Sequence, residues 1–239
     1  MGLLSLPRLG NPYLSQASYN LLSTLISEQT STSDMASLVS ALLASSPSKT
    51  DVAQTPAWLD LLGTAFAAGP VVFEGDKDPD VVFTSIFSYL ESIDLTIRKS
   101  ASMALTALVS KSITPAMIEA AVAEHTQKKP KSPLRRILAH MRLFLDALPY
   151  AGAMPQVFAV LASLLLALRH RPTQPPSENP PTAAELLLLD VVQKIGELRI
   201  KKGFEHKEAA DEVLKAAMSV LGPEVVLRVL PLGLIPEDR

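Results

Sequence analysis

The sequence contains no cysteine among its 239 residues. This absence excludes disulfide bonds, cysteine-based zinc sites and cysteine nucleophiles. Aromatic residues are scarce as well, at 5% of the chain, although hydrophobic residues make up 48%. The apolar residues are therefore mostly alanine, leucine and valine, which pack readily between helices. This composition disfavours a β-sandwich or a β-barrel and favours an all-α protein.

The chain also lacks a strong excess of charge of either sign. The 22 lysines and arginines and the 24 aspartates and glutamates give a net charge of −2 at pH 7. A protein with this balance does not attract nucleic acid through its average field, so any contact with RNA has to come from a local basic patch. The length allows one large domain or two modest ones.

Signals for secretion or membrane insertion are missing from the pattern too. Residues 1–8 have no basic leader, and Pro7 interrupts them before an apolar core could form, so secretion is not expected. The most apolar stretch, residues 157–168, is about two-thirds the length of a membrane span and is followed at once by Arg169. We expect this stretch to be a helix buried in protein, and we expect no membrane partner.

What the sequence does contain is a series of helical patterns. Apolar residues recur at three- and four-residue spacing in segment after segment, separated by proline, glycine or a capping residue. Three of the segments start with an N-cap followed by proline, at Thr55-Pro56, Thr114-Pro115 and Ser132-Pro133. Grouped in pairs of about forty residues, these helices predict an all-α α-solenoid of HEAT- or armadillo-like repeats. A compact, non-repeating helical domain is the alternative.

We predict a single domain over residues 1–239 with about five helix pairs. One segment breaks the pattern, because the prolines of residues 171–181 forbid a helix and their polar neighbours have little to bury. We expect an exposed, mobile loop there. Trp58 lies among leucines, which favours packing in the core over a role as an exposed anchor for a partner.

Signatures of catalysis and metal binding are absent from the sequence. It has no glycine-rich phosphate loop, no HExxH and no GxSxG. The histidines are scattered and lack partners at metal-binding spacing, and Gly75 is misplaced for a calcium loop in the acidic run at residues 74–80. We therefore expect no enzyme activity, cofactor, metal or small-molecule substrate. A helical enzyme whose site no motif reveals would require a deep pocket with convergent titratable groups.

One basic segment stands out, with no acidic residue from position 128 to position 142. Its candidate phosphate-binding residues are Lys128, Lys129, Lys131, Arg135, Arg136 and Arg142. A basic turn that leads into a helix N-terminus offers ammonium groups, backbone N–H donors and guanidinium forks to phosphate. No aromatic residues are interleaved, so we expect any RNA contact to be directed at the backbone and sensitive to salt. A transport signal and a solvated loop are the alternatives.

Two further groups of cations receive structural interpretations. The first is the cluster around Gly203, which consists of Arg199, Lys201, Lys202 and Lys207. Cations in the last turn of a helix complement the helix dipole, and glycine is typical of a helix end. We therefore interpret this cluster as the end of a helix. We expect Arg98 to support packing or to pair with a neighbouring repeat.

Several stretches resemble known repeat sequences. Residues 94–101 are similar to the second helix of a HEAT repeat. Two stretches resemble one family, the nucleolar ribosome-assembly and export factors called ribosomal RNA processing protein twelve. Residues 11–19 with Leu21 and Leu22 are similar to the opening of a HEAT pair in that family. Residues 222–232 are similar to the motif that closes the family's central domain. The resemblance implies a long α-solenoid in the nucleolus and nucleus, with shuttling to the cytoplasm, and implies that the chain is a fragment.

Two binding functions therefore remain open. In the first, which the resemblance implies, the chain is a non-enzymatic scaffold in ribosome biogenesis that binds pre-ribosomal proteins and pre-rRNA, contacts nuclear transport factors and supports export of ribosomal subunits. In the second, it is a transport or adaptor solenoid that binds protein segments without touching RNA, which the negative net charge favours.

Overall fold

The computed structural model describes residues 11–28, 32–68, 79–127, 131–145, 148–172 and 180–230. Within these ranges the chain is helical, and no β-strand is present. The eleven α-helices are α1 (Pro12–Glu28), α2 (Thr32–Ala44), α3 (Thr55–Ala68), α4 (Pro79–Phe87), α5 (Leu95–Ser112), α6 (Pro115–Ala123), α7 (Pro133–Phe144), α8 (Met154–Ala167), α9 (Ala183–Ile200), α10 (Lys207–Leu221) and α11 (Pro223–Val229). Two 3-10 segments, Ser88–Glu91 and Leu148–Ala153, precede α5 and α8.

The helices stack in two rows. In the first row α1 packs on α3, α3 on α5, α5 on α8 and α8 on α10. In the second row α4 packs on α7, α7 on α9 and α9 on α11. Along the chain, α3 to α5 and α7 to α11 alternate between the rows, so the structural unit is a pair of helices, as in α4–α5 and α9–α10. This arrangement confirms the prediction of an all-α solenoid of HEAT-like helix pairs.

Neighbouring first-row helices run in the same direction. Ser102 Oγ on α5 donates to the carbonyl of Gln156 on α8 (3.1 Å), and Ser163 Oγ on α8 donates to the carbonyl of Thr106 on α5 (3.4 Å). Residue numbers rise together along the two helices, so α5 and α8 are parallel. The loops between helices consequently fall on two opposite edges of the stack.

We call these two edges the pair edge and the link edge. The pair edge consists of the turns that lead from the second row into the first, at residues 45–54, 88–94, 148–153 and 201–206. The link edge consists of the described connections that lead back, at residues 113–127, 131–132, 168–172 and 180–182. Hydrogen bonds connect the turns of the pair edge: Tyr89 OH donates to the carbonyl of Pro47 (2.8 Å), and Tyr150 OH donates to Glu91.

The apolar stretch near the middle of the sequence forms α8. Residues Tyr150–Ala167 are long and apolar enough to span a membrane, but half of this stretch is buried inside the protein. Leu161 and Leu164 are fully buried where α8 packs between α5 and α10. Packing against these two helices accounts for the apolar character of α8. This agrees with the expectation that residues 157–168 form a helix buried in protein.

The structure confirms the prediction that Trp58 lies in the core. Its side chain is fully buried, and its indole N–H donates to the carbonyl of Leu42 at the end of α2 (3.0 Å). A buried indole normally needs such an acceptor, and here the bond also joins the two helices of one pair. Of the predicted loop at residues 171–181, the described part contains an exposed Arg171 and a buried Pro172, and residues 173–179 lie outside the described residues.

The three predicted helix starts differ in the structure. Thr114 caps α6 as expected, since its side chain accepts a bond from the N–H of Met117 (3.3 Å). The interpretation of Thr55 as an N-cap is wrong, because Thr55 Oγ1 instead donates to the carbonyl of Ser48 (2.8 Å). Just before α3, the side chain of Asp51 accepts hydrogen bonds from the N–H groups of Ala53 and Gln54. Ser132 occupies the N-cap position of α7 without a side-chain capping bond.

We expect the substitution Leu161→Ala to lower the free energy of unfolding by about 2–5 kcal/mol, because it leaves a cavity where α8 meets its neighbours. Met103→Ala is the matched control, since Met103 is 69% exposed on α5; its expected effect is within about 0.5 kcal/mol. Denaturant unfolding followed by circular dichroism measures both. Equal effects of the two substitutions would contradict the packing described for α8.

Candidate nucleic-acid interface

The described part of the basic segment predicted to contact phosphate begins at Lys131 on the link edge and continues through α7. Lys128 and Lys129 lie outside the described residues. Lys131 is exposed and stands two residues before the first residue of α7. This position puts its ammonium group beside the start of a helix, where the backbone dipole also favours an anion.

The backbone donors in front of α7 already have a partner within the protein. Glu124, which follows α6, accepts bonds from the N–H groups of Ser132 (2.9 Å) and Lys131 (3.2 Å) through its Oε2 atom. These bonds, led by the one from Ser132, lower the pKa of Glu124. Glu124 therefore holds the backbone in front of α7, whereas the capping bond that the sequence suggested for the Ser132 side chain is not made. The N–H groups of Lys131 and Ser132 are bonded to this carboxylate, although phosphate binding was expected at this helix start.

Arg135 connects the end of α6 to the first turn of α7. Its Nη1 donates to the carbonyl of His125 (3.1 Å), and its Nη2 donates to the carbonyl of Gln127 (2.9 Å). The side chain remains partly exposed. Arg135 thus connects the segment that follows α6 to α7 and presents part of its charge to solvent.

Arg136 joins α7 to α4 in the second row. Its guanidinium donates two bonds to Asp80, from Nε to Oδ2 (2.7 Å) and from Nη2 to Oδ1 (2.9 Å), and a further bond to the carbonyl of Lys131. Asp80 is buried in the first turn of α4. The hydrogen bonds from Arg136 are the main cause that lowers the pKa of Asp80. Such a bidentate arginine–carboxylate pair fixes both the distance and the relative orientation of the two side chains.

Arg142 makes the equivalent connection from α7 to α9. It donates to Asp190 from Nε to Oδ2 (2.7 Å) and from Nη2 to Oδ1 (2.9 Å), and also to the carbonyl of Leu187 (2.5 Å). Burial is the largest single influence on the pKa of Asp190 and raises it. The hydrogen bonds from Arg142, the charge of Arg142 and backbone hydrogen bonds together outweigh burial, so the net shift of the pKa is downward. Arg136 and Arg142 therefore link three successive helices of the second row.

The predicted residues thus divide into two kinds. Among those that the structure describes, Lys131 is the exposed cation, whereas the guanidinium groups of Arg135, Arg136 and Arg142 are bonded within the protein. Their binding to phosphate stays a prediction. The sequence could not reveal the internal bonds, because Asp80 and Asp190 lie 56 and 48 positions away from their arginines.

The structure adds cations that the sequence had not grouped with this segment. Because α5 and α8 are parallel, their C-terminal ends both reach the link edge. Lys111 in the last turn of α5 is exposed, as are Arg169 and Arg171 just after α8, and Arg171 donates one bond to the carbonyl of Pro180 (2.9 Å). Nε2 of His170 lies 3.2 Å from Oε1 of Glu119 in α6, and this contact connects the segment after α8 to α6.

The second basic cluster keeps its structural interpretation. Arg199 pairs with Asp211 of α10, and Gly203 has a φ of +84°, a left-handed backbone conformation that suits glycine. Lys201, Lys202 and Lys207 are exposed at the pair edge. Within the described ranges, no group of three or more histidine, aspartate or glutamate residues could hold a metal ion.

Stacked helix pairs in two rows define the chain as a HEAT-type α-solenoid. Residues 91–239 match the family described as ribosomal RNA-processing protein 12, HEAT repeats, and the chain belongs to that family. A protein of Schizosaccharomyces pombe, provisionally named ribosomal RNA-processing protein 12, is 25% identical over 195 residues. The alignment covers 81% of this chain and 15% of the relative, so the chain spans a small part of that protein's length. The family resemblance of the sequence is thereby confirmed.

We expect Asp80→Asn to lower the free energy of unfolding at pH 7 by about 1–3 kcal/mol, because Arg136 loses its charged partner. The pKa of Asp80 is lowered in the folded protein, so its contribution is complete above the carboxyl's ordinary pKa of about 3.9 and is lost as the pH falls below that value. The difference from the unsubstituted protein should accordingly persist at pH 5 and shrink in stronger acid.

Urea unfolding at several pH values measures this difference. Asp60→Asn, at an exposed aspartate of α3, is the control and should change stability little. An Asp80 variant as stable as the control at pH 7 would show that the pair with Arg136 does not hold α4 to α7.

Proposed function

We propose that the chain is a non-enzymatic HEAT-repeat scaffold of ribosome biogenesis, which binds proteins and RNA of the pre-ribosomal particle. Membership of the family supports the role in ribosome biogenesis. The name of the fission-yeast relative, which refers to ribosomal RNA processing, supports the nucleolus and nucleus as the place of action. Contact with nuclear transport factors, support of subunit export and shuttling to the cytoplasm belong to the same proposal and rest on the family resemblance.

The RNA contact in this proposal lies on the link edge. The observation that carries it is the exposure of Lys131, Lys111, Arg169 and Arg171 on this one edge, with Lys128 and Lys129 adjacent in sequence. Lysine and arginine side chains that neutralise phosphates release counterions, and this release drives binding without reading the base sequence. Many weak contacts spread over an extended surface suit a solenoid.

The exposed cations of this edge outnumber the carboxylates near it, which are Glu119, Glu124 and Glu185. The charge of Asp80 is balanced by its pair with Arg136. The local field can therefore be positive although the net charge of the chain is −2. In this proposal Arg136 and Arg142 act mainly by holding the second row in place, and Lys128, Lys129 and Lys131 meet the phosphates, with Arg135 beside them.

The rival function, an adaptor solenoid that binds protein segments without RNA, is tested by reversing charge on the link edge. We expect the triple substitution Lys128→Glu, Lys129→Glu and Lys131→Glu to weaken binding to a labelled oligouridine of about twenty nucleotides by at least about tenfold. The slope of log K against log salt should fall by about 2, because each phosphate contact on a single strand contributes about 0.7. Fluorescence anisotropy at several salt concentrations measures both quantities.

The matched control is the triple substitution Lys201→Glu, Lys202→Glu and Lys207→Glu, which changes the net charge equally but on the pair edge. This control should weaken binding by less than about threefold, since a distant charge is largely screened. Circular dichroism checks that both variants fold. If the two variants lose affinity equally, or if the unsubstituted protein does not bind the oligouridine, the RNA part of the proposal fails and the adaptor function is favoured.

A further inference from the structure

The first helix of the first row, α1, has an exposed apolar stripe. Leu14, Leu21 and Leu25 are 43%, 49% and 46% exposed, and Ala17 is exposed as well. Their spacing of three or four residues places all four on one side of the helix. We call these four residues the α1 stripe. The residues that α1 buries lie on a different side, and they are Ser15, Ser18, Tyr19, Leu22 and Ile26.

The two sides of α1 together are as wide as the buried side of a helix in the middle of the row. α5 packs between α3 and α8, and its buried residues span an arc of about 200° around the helix axis, from Ser100 to Ser102. On α1 the α1 stripe and the buried residues together also span about 200°, from Ala17 to Tyr19. α1 therefore has the surface of a helix with neighbours on both sides. Of the helices that the structure describes, α3 is the first-row helix packed on it.

The last helix of the first row, α10, ends the stack with a polar surface. Its buried residues span an arc of only about 80°, and they are Ala210, Val213, Ala217 and Leu221. Its opposite side is charged and exposed, with Glu208, Asp211, Glu212 and Lys215. A polar outer face is typical of the helix that caps a repeat stack. In a second copy of the chain, the α10 end is therefore a poor partner for the α1 stripe.

The α1 stripe is complementary to a second α1 that runs in the opposite direction. Leu14 of one copy then lies opposite Leu25 of the other. Leu21 lies opposite Ala17, because both pairs have their midpoint at residues 19–20. A large side chain facing a small one fills the interface, whereas parallel helices would set Ala17 against itself and leave a gap. Such self-complementarity is what a twofold contact between identical chains requires.

The charge of α1 also suits an antiparallel second copy. Glu28, in the last turn, is the one charged residue in the sequence of this helix, so the α1 stripe carries no charge that would repel its copy. In the antiparallel pair Glu28 lies beside the start of the other α1, where the backbone dipole favours a negative charge. A contact of one helix on another is smaller than the roughly 1,200 Å² of a standard interface, so we expect a complex that dissociates on dilution.

We propose that the α1 stripe is an interface between two copies of this chain, in which the two α1 helices pack antiparallel about a twofold axis. The contact continues the first row from one copy into the other. The polar α10 ends lie at the two outer ends of the assembly, so it closes as a dimer and does not grow into a fibre. This dimer does not depend on the RNA contact proposed for the link edge.

Sedimentation equilibrium of the 239-residue protein tests whether the dimer forms. We expect the average mass to rise from that of a monomer towards twice this value as the concentration increases through the micromolar range. Leu21→Asp should raise the dissociation constant of the dimer at least about tenfold, because it places a charge in the apolar contact. Leu166→Asp is the matched control, since Leu166 of α8 is equally exposed at 49%, and it should leave the dimer unchanged. Circular dichroism checks that both variants fold.

Disulfide cross-linking tests the direction of the two helices, because the chain has no cysteine of its own. A mixture of the Leu14→Cys and Leu25→Cys variants, one of them carrying a tag, should form disulfide-linked pairs of one variant with the other under mild oxidation. Neither variant alone should form linked pairs. Position 14 lies about 16 Å along the axis from its own copy, whereas a disulfide requires Cα atoms within about 7 Å.

Three results would overturn the proposal. The first is a protein that stays monomeric over the whole concentration range. The second is an equal effect of Leu21→Asp and Leu166→Asp on the dimer, which would place the contact outside the α1 stripe. The third is efficient linking within the Leu14→Cys variant alone, which would show parallel helices.

Discussion

The close, parallel packing of the first-row helices is the constraint on which the rest of the structure depends. Small residues allow it: a β-carbon added at Gly63 of α3 would lie 3.4 Å from the Cα of Ala104 of α5. Helices at this separation bury their central apolar residues completely, as Leu161 of α8 shows. Since the first-row helices run in one direction, the loops between the rows sort onto two edges. The exposed cations of the proposed RNA contact gather on one edge for this reason.

The second row depends more on charge than the first. Arg136 and Arg142 each use a planar guanidinium to bind the two oxygens of an aspartate on a neighbouring helix, Asp80 or Asp190. A lysine in either place could not reproduce this geometry, because its single ammonium group cannot form two parallel bonds to one carboxylate. Cations that look alike in the sequence therefore have different roles, depending on whether an acidic side chain of the next helix faces them.

The sequence was sufficient for the features that depend on local spacing. The helical periods, the pairing of helices, the burial of Trp58 and the cap at Thr114 all follow from residues within a few turns of one another. It was insufficient where the partner is distant in sequence. Ser132 makes no capping bond, and Glu124 instead holds the backbone in front of α7. Asp51 accepts the N–H bonds that were expected at Thr55. The hydrogen bond between Ser92 and Lys49 spans 43 positions, which no local pattern can indicate.

The most direct test of the account is ultraviolet cross-linking of RNA to the protein in cells, with mass spectrometry of the cross-linked peptides and sequencing of the attached RNA. A ribosome-biogenesis scaffold that binds RNA at its link edge predicts pre-rRNA attached to peptides around Lys111, Lys131 and Arg169. Within residues 1–239, peptides of the pair edge should carry little RNA. Cross-links concentrated on the pair edge, or RNA without ribosomal precursors, would contradict the account.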